Sequence, residues 1–153
     1  MKRKQIIFII FFIIILLTIP FITKDKNIDF TKIKEVIKPY IDSEIIKEID
    51  SKTIYTNFGI KSNLLDDYIS FGPVSFMTVE EITIFKEEDK QKREILMDKI
   101  NDYINKKIIT FEGYGPTQVE LLKNSIVKIK GDYVFCIILE NNEEIWKDIT
   151  KLF

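Results

Sequence analysis

Seventeen consecutive residues without a charge, IIFIIFFIIILLTIPFI from Ile6 to Ile22, follow the basic opening Met1-Lys2-Arg3-Lys4-Gln5. A helix needs about 17–25 apolar residues to cross the hydrocarbon layer, so this run sits at the short end of the range. Ile, Leu and Phe favour insertion, and the first polar residue is Thr18. Pro20 lies near the far end, where interfacial water or neighbouring groups satisfy the carbonyl it frees. Lys2, Arg3 and Lys4 precede the run, and only Lys24 and Lys26, split by Asp25, follow it closely. The positive-inside bias then leaves the N-terminus in the cytoplasm and residues 24–153 outside. A cleaved signal peptide is the rival reading. It needs small residues before the cut, and Thr18-Ile19-Pro20-Phe21-Ile22-Thr23 contains no Ala, Gly or Ser. The expectation is an uncleaved signal anchor over residues 1–23, spanning the cytoplasmic membrane once.

The remaining chain is long enough for one domain with a true core. Removing Lys2, Arg3 and Lys4 from 23 basic residues leaves 20 against 24 acidic ones, a net charge of about −4. That balance argues against nucleic acid as partner and against electrostatic adhesion to anionic lipid. Histidine is absent, which removes Ser-His-Asp and Cys-His catalysis and His-ligated zinc. The single cysteine, Cys136, lies in an apolar stretch and reads as a buried core residue. No disulfide is available, so the domain must hold itself together by burial alone.

Residues 24–40 read as a polar linker followed by one or two helical turns over 31–38. Residues 41–153 then form a single α+β domain. Apolar residues at Ile45, Ile46 and Ile49 behind Asp42 predict a helix over 42–49. The β-formers of Ile54 to Ile60 predict a short strand closing on Gly59. Tyr68 to Phe71 starts a strand that Gly72-Pro73 ends, and Val79 to Lys86 is a second. Glu87 to Lys107 is the longest helix, with acids at its start, bases at its end and a stripe of Leu96, Ile100, Tyr103 and Ile104. Pro116 opens a short helix. Ile126 to Lys130 and Asp132 to Glu140 pair as a hairpin around Gly131. Asn141-Asn142 starts a last helix carrying Ile145, Trp146 and Ile149 inward. The layout predicts a mainly antiparallel sheet of about five strands with helices packed on a face.

The strand Glu81 to Lys86, the loop Phe111-Glu112-Gly113-Tyr114-Gly115-Pro116-Thr117-Gln118 and the turn Lys130-Gly131-Asp132-Tyr133-Val134 carry a resemblance. The chain is similar to a domain-of-unknown-function family of small secreted, lipid-anchored or membrane-anchored proteins from low-GC Gram-positive bacteria. Its members carry a Tyr-x-Pro-x-Gln element followed by a Lys-Gly-x-Tyr-Val hairpin. Tyr114, Pro116, Gln118, Gly131 and Tyr133 fall on that pattern, and the match spans about residues 54–140. Many members use a lipid-modified cysteine, which this chain lacks. The resemblance implies an extracytoplasmic location and a domain extent, with no activity and no catalytic residues to transfer.

The loop is the candidate binding element. Gly113 and Gly115 allow close backbone approach, Tyr114 offers an aromatic face to a glycan or peptide, and Gln118 follows one turn later. The plainer reading is a tight turn with Tyr114 folded onto the core. Adjacent Glu80 and Glu81 point to opposite faces of a strand, so they form no carboxylate pair. No spacing predicts a metal site, a cofactor or catalytic residues. The expected function is a non-enzymatic accessory protein, tethered outside the cell, that binds an envelope protein or surface polymer. Two alternatives remain: an envelope hydrolase working with carboxylates alone, and a scaffold acting through its membrane helix.

Overall fold

The computed structural model describes residues 28–61 and 65–153. The expected anchor over 1–23 and the start of the expected linker, 24–27, lie outside the described residues. Among the described residues, no helix is long and apolar enough to cross a membrane.

In chain order the elements are α1 (Phe30–Ile37), a 3-10 turn (Lys38–Tyr40), β1 (Ile46–Glu48), α2 (Ser51–Phe58), β2 (Asp67–Pro73) and β3 (Glu81–Lys86). Then come α3 (Lys90–Phe111), α4 (Pro116–Lys123), β4 (Ile126–Lys130), β5 (Tyr133–Ile138) and α5 (Asn142–Thr150). The strands form one five-stranded sheet in the order β1-β2-β3-β5-β4, and every pairing is antiparallel. This is the expected α+β fold.

Two elements exchange the identities that the sequence pattern suggests. Residues 42–49 form a turn and the strand β1 rather than a helix. Asp42 Oδ1 accepts the Glu44 amide at 2.9 Å, and the Asp42 carbonyl accepts the amides of Ile45 and Ile46. The chain then extends, Ile46 enters the core, and Lys47 and Glu48 pair with Gly72 and Phe71. Residues 51–58 form α2 rather than a strand. Asp50 caps it, accepting from the Thr53 amide at 2.9 Å and the Thr53 hydroxyl at 2.7 Å. Gly59 ends it in the left-handed region at φ 65°, a conformation that favours glycine. Ile54 and Phe58, four apart, form its buried face.

The helices cover both faces of the sheet, not one. On the first face, α2, α3 and α4 bury Ile54, Phe58, Ile100 and Leu122 against Phe85, Val134, Cys136 and Ile138. On the second, α1 and α5 bury Ile33, Ile37, Ile145 and Ile149 against Ile82, Ile84, Phe135 and Ile137. Alternation along β3 and β5 sends successive side chains to opposite layers, and both strands need two covers because their side chains are buried on both sides. Trp146 packs edge-on against Phe135, centroids 5.4 Å apart.

The two ends of the sheet differ. At one end the described chain begins: the Tyr133 hydroxyl donates to the carbonyl of Ile28, and Phe30 stacks on Tyr133 at 5.5 Å. Arg93 ties this end together, donating to the Glu87 and Glu88 carbonyls and to Asp132 Oδ1 at 3.0 Å. At the other end, Ile46 pairs with Pro73 and Glu81 with Ile138. Six-residue strands place these ends roughly 20 Å apart.

Candidate functional site

The predicted binding loop joins α3 to α4. Phe111 ends α3 and its carbonyl accepts the amides of Tyr114 at 3.3 Å and Gly115 at 2.9 Å, which closes the turn. Gly113 sits at φ 94°. Gly115 precedes Pro116, and a Cβ there would lie 2.9 Å from Phe111 Cδ1. Only glycine lets the loop pass so close to that buried ring. Tyr114 leans on Phe111 with centroids 5.5 Å apart, yet stays 58% exposed. Gln118 is half-buried on α4, and its Oε1 is buried with no hydrogen-bond partner. The four residues thus share one turn, and only Tyr114 offers a large surface outward.

A second group, which the spacing does not reveal, lies between the sheet and α3. Glu81 is fully buried on the face of β3 that looks toward α3. Its Oε1 accepts from Thr83 Oγ1 at 2.7 Å, and its Oε2 accepts from the Tyr103 hydroxyl at 2.6 Å. Lys107 Nζ stands 4.0 Å from Oε2 and 4.8 Å above the Tyr103 ring. Ser70 on β2 continues the row, 2.6 Å from Thr83 Oγ1. Cys136 is Thr83's partner on β5.

Burial dominates the electrostatics of this group. It raises the Glu81 carboxyl above its ordinary value, while Lys107 and the Tyr103 and Thr83 hydroxyls pull it back. It lowers Lys107, against the pull of Glu81. It pushes the Cys136 thiol well up, with Glu81 adding to the effect, so the thiolate is disfavoured there. The Tyr103 hydroxyl is held far above the ordinary phenol by burial and by Glu81. Polar groups in this setting satisfy one another and fix the seat of α3 on the sheet. The only sequence signal for this cluster is an acid on an inward strand position, matched by Tyr103 and Lys107 one turn apart on the facing helix.

Two adjoining clefts lie at the end of the sheet away from residue 28. A cleft of about 540 Å³ is lined by residues including Glu120, Leu121, Leu139, Glu140 and Glu143. A second, of about 420 Å³, includes Tyr40, Asp42, Ile45, Glu80 and Glu140. The two share Leu139 and Glu140. Asn142 braces the first by donating to the Asn124 carbonyl at 2.6 Å, which joins α5 to the end of α4. Asn141 stands at the N-cap of α5, but its side chain makes no capping bond. Among the described residues, no group of three or more Cys, Asp or Glu side chains is placed to hold a metal ion.

No curated protein and no solved structure matches the chain. Residues 39–139, which take in the whole sheet and α2 to α4, match the family described as Domain of unknown function (DUF4358). That match covers more than half of the chain, and the protein belongs to this family.

Proposed function

We propose that the protein is a non-enzymatic binding module, held at the outer face of the cytoplasmic membrane by residues 6–22, and that it binds an envelope protein or surface polymer. One observation carries this reading. Of the reactive side chains that the fold brings together, Glu81, Tyr103 and Thr83 bond to one another in the interior, Lys107 pairs with Glu81 from the edge, and Cys136 is buried beside them. A catalytic group must reach its substrate, and Glu81, Thr83, Tyr103 and Cys136 are buried in the core. Large apolar side chains reach solvent as well, among them Phe76, Met77, Ile109 and Tyr114. Such exposure suits contact with a partner. The acidic lining of the 540 Å³ cleft favours one alternative, a hydrolase acting on wall glycan with two carboxylates.

The test is crosslinking of the full-length protein in its native membranes, with an anchor-swapped version beside it. A partner retained by both versions places function in residues 24–153. A partner lost on swapping moves function into the span. Recovery of nothing, together with cleavage of wall glycan that Glu140→Gln abolishes, sinks the binding reading and installs the hydrolase.

A further inference from the structure

The end of the sheet away from residue 28 is built from three segments: 41–46, 73–81 and 139–144. Pairing brings them together, with Val74 N donating to the Ile45 carbonyl at 2.9 Å and Glu81 opposite Ile138. The β2–β3 loop at this end exposes two large apolar side chains: Phe76 is 92% exposed and Met77 58%. Val74 and Ile45 are exposed beside them. The same three segments contain Asp42, Glu44, Glu80, Glu140, Glu143 and Glu144, besides the buried Glu81, and no Lys or Arg. Ile45 lines the smaller cleft together with Asp42, Glu80 and Glu140. Apolar tip and acidic recess are therefore one continuous surface.

We propose that this end is a docking surface for a protein segment that presents lysine or arginine side chains beside an apolar one. The inference deepens the binding-module reading and rests on it, but not on the anchor. Charge complementarity selects the occupant. An anionic lipid surface is repelled by the acids of the adjoining recess, Asp42, Glu80 and Glu140. Nucleic acid is repelled for the same reason. A second copy meeting this end head-to-head would bring two acidic recesses together. A basic, apolar segment satisfies both halves: its side chain covers Phe76 and Met77, and its cations enter the recess between Glu80 and Glu140.

The experiment titrates isotope-labelled full-length protein, held in nanodiscs of zwitterionic lipid, with a hexapeptide of alternating lysine and leucine. A glutamate–leucine hexapeptide is the control. The expected result is amide shifts confined to residues 42–46, 74–80 and 139–144, for the lysine peptide only, fading as salt rises. Phe76→Ser and the pair Glu80→Lys with Glu140→Lys should each weaken binding by about tenfold. Glu94→Lys, on the exposed face of α3, should leave it unchanged. Shifts spread over the chain, or equal losses for the Glu94 variant, overturn the proposal as nonspecific attraction. Tip signals that broaden with protein concentration alone assign the surface to a second copy. Shifts caused by adding phosphatidylglycerol to the disc assign it to lipid. A native partner still crosslinked after both sets of substitutions leaves the binding module standing and removes this surface from it.

Discussion

The two faces of the sheet are buried by different chemistry. Toward α1 and α5, the layer is Ile, Phe, Tyr and Trp, with the aromatic rings of Tyr133, Phe135, Trp146 and Phe153 in mutual contact. Toward α2 and α3, an equally closed layer contains a carboxylate, an ammonium group, a phenol and two aliphatic hydroxyls. The first face gains stability with no demand for a particular arrangement beyond close packing. The second stays stable only while each polar group keeps its partner. Apolar burial holds the layers together, and the polar row specifies where α3 sits.

The largest effects test that division directly. Phe135→Ala opens a cavity on the apolar face and should cost about 3–5 kcal/mol. Glu81→Ala strands Lys107 and the Tyr103 hydroxyl on the polar face and should cost about 3–5 kcal/mol as well. Denaturant unfolding measures both. Their interactions then separate the two faces. Glu81→Ala combined with Tyr103→Phe should depart from additivity by about 0.5–3 kcal/mol, since the two share one hydrogen bond. Glu81→Ala combined with Phe135→Ala should be close to additive. Additivity in the first pair would mean that the polar row is no network.

The pH dependence sharpens the contrast further. Burial raises the folded-state value of Glu81 above its ordinary 4.5. The folded chain therefore binds a proton that the unfolded chain releases, and stability falls as pH rises through the window above 4.5. The capping carboxylates Asp50 and Asp89 are lowered from 3.8 by the backbone amides they accept. Their contribution is present above 3.8 and is lost as pH falls. The wild-type curve should thus rise through the acid range and then decline. Glu81→Gln should remove the decline that begins above 4.5 and keep the acid rise, leaving only the alkaline decline to which the raised Cys136 and Tyr103 contribute. A variant that declines as the wild type does would place the titration elsewhere.

These faces were unequally legible in the sequence. β2, β3, the β4–β5 hairpin, α3 and α4 carry local signals: Gly72-Pro73, Gly131, acids before α3, and Pro116 at a first helical position. α2 and β1 do not yield to apolar pattern alone. Ile54, Tyr55 and Phe58 are β-formers whose preference reports packing rather than backbone, and the cap at Asp50 with Gly59 beyond decides for helix. Ile45, Ile46 and Ile49 mimic helix spacing, but the turn closed by Asp42 is not continued. The Glu81 network is written in no local window. Glu81 and Tyr103 are 22 residues apart and meet only through the docking of α3. In the candidate loop, the sequence marks Gly113 and Gly115 as unusual but not why. Gly115 is required by the Phe111 ring and Gly113 by its positive φ.

That loop supplies the intermediate effects. Gly115→Ala must displace the Phe111 ring, a core residue of the polar face, and should cost about 1–3 kcal/mol. Gly113→Ala meets open space but holds an unfavourable left-handed φ, and should cost about 1–2 kcal/mol. Thermal unfolding of both variants checks the order. If Gly113→Ala proved the worse, backbone conformation rather than the approach to Phe111 would govern the turn.

The smallest effect is expected where neither face reaches. Phe76 stands on the β2–β3 loop with 92% of its surface in water, so it adds nothing to either core layer. Phe76→Ser should change stability by less than about 0.5 kcal/mol, as surface substitutions away from structural features do. Phe135→Ala, a change to the same residue type, lies at the opposite extreme. A loss above about 1 kcal/mol for Phe76→Ser would show that the tip folds back onto the β1–β2 edge in solution. A change near zero leaves a large aromatic side chain held in water by a stable hairpin. Exposed apolar surface of that kind has no part in holding the fold, and its effect should appear in binding alone.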